Sequence, residues 1–174
     1  MSTITIDDQL AEIRHRVDRL RARAQTDAPR IWRHLEALQQ AEAAVRAALR
    51  QEAHDEVEET LGQLKTRLDI AERSLEADAS DDWQTFAAAV EAELHSWDTY
   101  LERLQTSVAT KAWKAREQAE ATIGEVRSRR IAVGERLAQA SDPAGATAQR
   151  ARKRITAARN ELDKRAAELS TKLN

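Results

Sequence analysis

The chain is predicted to be all-α, and three observations carry that prediction. A single apolar seam steps in threes and fours from Trp83 through Phe86, Val90, Leu94, Trp97, Leu101, Leu104 and Val108, and on by Ala112, Ala115, Ala119, Ile123, Val126 and, past the polar Arg130, Val133 to Leu137. That spacing is one side of an α-helix. The composition is lopsided toward helix formers: 33% of the 174 residues are charged and 3% aromatic, with only 4 Gly and 2 Pro. The third observation is that only three places interrupt the helical pattern.

Those interruptions divide the chain into helices of about 7–26, 28–77, 82–140 and 143–172. At Thr26-Asp27-Ala28-Pro29 the proline suits a first helical turn and Thr26 or Asp27 suits its cap. At Asp78-Ala79-Ser80-Asp81-Asp82 a turn precedes a capped helix start. Ala140-Ser141-Asp142-Pro143-Ala144-Gly145 repeats that logic with proline near the first helical position.

The seam reads as one helix some 80 Å long at 1.5 Å per residue. Folding at the 78–82 turn sets Leu64 opposite Trp97, Val57 opposite Leu104 and Leu35 opposite Val126. The expected architecture is therefore a single elongated domain over 1–174. A long antiparallel coiled-coil hairpin carries two shorter helices folded back on its open end. Residues 7–50 and 110–173 form a four-helix bundle there, and 51–109 form a bare two-helix stalk with its tip at 78–82.

Charge is divided along the chain. Residues 51–102 hold Lys65, Arg67 and Arg73 against fifteen Asp or Glu, whereas 1–50 and 103–174 are net basic, and the formal total is −2. Such asymmetry points to an electrostatic partner or to a staggered homodimer in which the acidic stalk of one copy meets the basic end of the other. The cations concentrate at Arg127, Arg129 and Arg130 and at Arg150, Arg152, Lys153 and Arg154. With Trp113, which sits among Lys111, Lys114 and Arg116, these form the expected interaction surface. The run from Arg150 to Arg154 is the best anion-binding candidate.

Catalytic signatures are lacking. There is no Cys, Gly-x-Ser-x-Gly, glycine-rich phosphate loop or Glu-x-x-His pair. In the expected registers none of His15, His34, His54 and His95 faces another, so no metal or other cofactor is expected, and no enzyme. Met1 to Leu10 has no basic, apolar leader pattern, and no run of apolar residues is long enough to span a bilayer. A cytoplasmic location, or one peripheral to a membrane, follows as the expectation.

Two 11-residue turns from Leu104 to Val126 resemble the amphipathic repeats of apolipoproteins. The run Leu101 to Leu137, with its Ala-Ser-Asp turn and short returning helix, resembles bacterial coiled-coil proteins of the stress response. Ala79-Ser80-Asp81-Asp82-Trp83 approximates their Ala-Ser-x-Asp-x-Trp turn with one residue fewer, and Ala140-Ser141-Asp142-Pro143 repeats its start. The resemblance implies a helical scaffold peripheral to membranes, with no catalytic residues. Three functions are in play: a scaffold offering a charged helical surface to a protein partner or to itself, a peripheral lipid binder, and an anion or nucleic-acid binder using the basic end.

Overall fold

The computed structural model describes residues 5–23 and 29–173. Its elements are α1 (Ile6–Arg23), α2 (Pro29–Arg50), α3 (His54–Ala79), α4 (Trp83–Val108), α5 (Trp113–Gln139) and α6 (Gly145–Leu173). The chain is all-α over the described residues. Thr26 and Asp27, the expected caps of the first turn, lie outside them.

The continuous helices expected over 28–77 and 82–140 are each two helices. After Arg50 the chain closes a Schellman motif: the Ala53 N–H bonds the Ala48 carbonyl at 3.3 Å, and the Glu52 N–H bonds that of Leu49 at 3.2 Å. Glu52 takes φ 54°, the left-handed conformation usually left to glycine. The second break follows α4, where Lys111 N–H bonds the Val108 carbonyl at 3.0 Å and Ala112 is extended at ψ 148°. Ala112 and Ala115, placed on the apolar seam by their spacing, are exposed.

The stalk therefore has company. α2 turns back along α3, α5 turns back along α4, and α3 and α4 pair with each other. α1 lies antiparallel to α2 and parallel to α3, held by Arg14–Glu42 at 3.2 Å and by Arg16 to Asp69 and Glu72 at 2.7 and 2.9 Å. α6 runs back along α5 and also reaches α2. The longest helix, α6, has 29 residues, about 44 Å at 1.5 Å per residue. The accessible surface is 10549 Å², roughly a fifth above the ~8,600 Å² of a compact globule of this mass. That excess fits a short, slightly elongated bundle and not an 80 Å rod.

The apolar interior has two parts. One joins Leu10, Ile13 and Leu20 of α1 with Ile31, Leu35, Leu38 and Val45 of α2 and Leu61, Leu64, Leu68 and Leu75 of α3. The other joins the apolar faces of α4, α5 and α6, with Ile70 and Ala77 of α3 reaching into it. Fully buried side chains such as Leu68, Phe86 and Trp97 each contribute about 1.5–3 kcal/mol by leaving water. The molecule is thus two three-helix halves joined across α3 and α4. At the turn between them, Asp82 caps α4 by accepting from the Thr85 N–H at 2.8 Å.

Ion pairs tie the acidic and basic blocks together within the molecule. Arg130 binds Asp98 at 2.7 Å, and Arg159 binds Asp78 at 2.9 Å. The expected layout, with the acidic stalk at one end and the basic bundle at the other, is therefore corrected. It assumed the two unbroken helices, and the breaks at 51–53 and 109–112 remove the separation.

Candidate functional site

Three helices each deliver a pair of polar residues four positions apart, which places both on one face. α2 brings Arg30 and His34, α3 brings Ser74 and Asp78, and α6 brings Arg159 and Asp163; α4 adds Glu93. Except for Asp78, which is partly exposed, all of these are buried. They meet where the two halves join.

The network is dense. Arg30 Nε donates to Asp163 Oδ2 at 2.7 Å, and its other nitrogens lie 3.4 Å from Glu93 and from Asp78. Arg159 Nε donates to Glu93 Oε2 at 2.8 Å, Nη1 to Asp78 Oδ1 at 2.9 Å, and Nη2 to the Ser74 hydroxyl and carbonyl, each at 3.2 Å. His34 Nε2 sits 3.4 Å from Asp163 Oδ2. Burial alone would raise the Asp163 carboxyl, but His34 and Arg30 outweigh it and hold the group well below the usual carboxylate range. The same neighbours keep Arg30 charged: burial pushes its guanidinium down, and Asp163, Glu93 and Asp78 push it up by more.

The cluster contains three residue types that ligate metals. One ligand atom each of His34, Glu93 and Asp163 lies within 4.8 Å of the others, and both His34 nitrogens and Asp163 Oδ1 make no hydrogen bond. The registers expected from sequence set His34 opposite position 21 and do not bring it to this cluster. Charge argues against a metal. The guanidiniums of Arg30 and Arg159 already occupy oxygens of Asp163 and Glu93, and a dication among the same groups would crowd both cations. The donor set therefore fits an ionic joint better than a metal centre. Nothing in it resembles a nucleophile beside a base facing an open cleft.

The expected surface residues divide into two groups. Arg152 is recruited inward: its guanidinium donates to the carbonyls of Ala77, Asp78 and Ser80 at the end of α3 and lies over the Phe86 ring, 4.7 Å from its centroid. That satisfies the orphan carbonyls of a helix C-terminus. Arg130 is held by Asp98, and Arg127 donates to the side chain of Gln105 at 3.1 Å. Arg129, Arg150, Lys153 and Arg154 stay exposed. Trp113, at the start of α5, is 75% exposed and packs on neither α1 nor α6 as a core residue would.

A sequence reading limited to runs of charge overlooks Arg136. It reaches across from α5 to donate from Nη1 to the Arg154 carbonyl at 3.2 Å, and with Arg150 and Arg154 it lines a cleft of about 370 Å³ at the α5–α6 turn. A signal for it exists, since folding at Ser141–Pro143 sets position 136 opposite about 148, within a turn of Arg150.

Among the described residues no helix is long and apolar enough to cross a membrane. The chain matches no protein-family model, no curated protein and no solved structure.

Proposed function

We propose that the chain is a non-enzymatic helical scaffold that presents the basic surface of α5 and α6 to an acidic protein partner. One observation carries this reading. From Arg127 to Arg154 eight cations face two carboxylates, Glu135 and Asp142, and among the described residues only Arg130 of the eight is paired with a carboxylate. On α3 and α4, Asp69, Glu72, Asp78, Glu93 and Asp98 are engaged by arginines of α1, α2, α5 and α6, which leaves the exposed acidic run of Asp55, Glu56, Glu58 and Glu59 at the start of α3. The positive charge left for a partner sits on one helical hairpin, α5–α6. Complementary charge speeds association and orients the partner.

The peripheral-membrane reading has less behind it. A lipid-binding helix needs a continuous apolar stripe left over after folding. Among the described residues the large apolar side chains exposed are Trp32, Trp113 and Ile131, spread over α2 and α5.

Photo-crosslinking side chains at Arg129 and Lys153, compared with one at Glu58 on α3, test the scaffold reading in the native host. Discrete protein adducts from the α5–α6 positions alone are expected. Equal adducts from Glu58, or none from the basic face, would discard it.

A further inference from the structure

We propose that the cleft at the α5–α6 turn binds a small, soluble, phosphate-bearing molecule. This goes beyond the scaffold reading and stands without it. The cleft, about 370 Å³, is lined by Arg136, Arg150, Arg154, Gln139, Ser141 and Thr147. Arg150 and Arg154 sit one turn apart on α6, a like-charge spacing that destabilises a helix. Arg136 adds a third guanidinium from α5. Among the described residues none of the three is paired with a carboxylate, and their internal bonds are single donations to carbonyls, Arg136 to Arg154 at 3.2 Å and Arg150 to Ala146 at 3.3 Å. Most of their N–H groups remain to be satisfied.

Two of the other arginine-bearing clefts, each with more than one arginine, show the contrast. The one with Arg21, Arg46 and Arg50 contains Glu42, which pairs with Arg46 at 2.7 Å. The one with Arg23 and Arg73 contains Glu76, which pairs with Arg73 at 3.0 Å. Each carries its own counter-charge, and the α5–α6 cleft does not.

The chemistry of the vacant donors selects the ligand. Guanidinium forks match the paired oxygens of phosphate, and the hydroxyls of Ser141 and Thr147 and the amide of Gln139 add neutral donors beside them. The first turn of α6 lies at the same end, where free N–H groups favour an anion. The volume is at the small end of ligand sites, right for a phosphate ester or pyrophosphate. A single-stranded nucleic acid would want aromatic platforms, and no aromatic residue lines the cleft.

Titration calorimetry of the full chain with inorganic pyrophosphate, at fixed ionic strength, tests the site. Saturable binding is expected. R150Q and R154Q should each weaken it roughly tenfold or more, the usual loss of a charge-assisted hydrogen bond, while R33Q on α2, outside the cleft and the basic face, leaves it unchanged. All three positions are exposed, and circular dichroism checks that the variants remain folded. A response that sodium chloride reproduces, or one that R33Q weakens equally, would overturn the proposal. Vesicles of phosphatidylcholine containing phosphatidate distinguish the source of the phosphate. Vesicle binding that pyrophosphate cannot displace would replace the soluble ligand with a lipid headgroup, and so overturn the proposal as stated.

Discussion

Arg159 holds Glu93 through two nitrogens, Nε at 2.8 Å and Nη2 at 2.6 Å from the same Oε2 oxygen, with both side chains essentially out of water. Each residue alone would be intolerable there, because an unpaired buried charge costs several kcal/mol. Together with Arg30, Asp78, Asp163 and His34 they make an ionic joint between α2, α3, α4 and α6.

The joint should behave asymmetrically under mutation. Arg159→Ala strands Glu93 and should cost about 3–5 kcal/mol in urea unfolding. Replacing both partners, as in R159M/E93L, should recover most of that loss. A double variant as unstable as R159A would mean that packing around Arg159, and not its charge partner, sets the cost.

Acid should loosen the joint through Asp163. Its folded pKa is depressed, so its stabilising contribution is complete above the unfolded value of about 3.9. The contribution fades as pH falls below that value toward the folded one. Asp163→Asn should therefore be destabilised at pH 7 and should lose less further stability than the parent between pH 4 and pH 2. Parallel stability curves for the two proteins over that range would contradict the assignment.

The break at Glu52 makes a prediction whose sign is informative. Glycine takes φ 54° without strain, whereas another L-residue there costs about 1–2 kcal/mol. Glu52→Gly should therefore be neutral or stabilising by up to about 1 kcal/mol. Were residues 28–77 one continuous helix, the same change would cost about 1 kcal/mol. Small-angle scattering checks the consequence for shape: a radius of gyration only slightly above the ~16 Å of a compact chain of this length is expected, and an 80 Å rod would refute the fold.

Helical character, the position of the most polar turns and the burial of most of the seam were all legible in the order of residues. Phe86, Val90, Leu94, Trp97 and Leu101 are buried as their spacing requires, and the turns at 80–82 and 140–144 carry the expected breakers. The breaks at 51–53 and 109–112 were not legible. Gln51, Glu52, Ala53, Ala109 and Ala112 include no glycine or proline, and local propensity there favours continuing the helix. What ends α2 is the burial of Leu35, Leu38 and Val45 against α3, a long-range gain large enough to hold Glu52 in a left-handed conformation. The ionic joint depends on those same breaks. Arg30 and Asp163 are 133 residues apart, and only the folding-back of α2 and α6 onto one side of α3 and α4 brings them together.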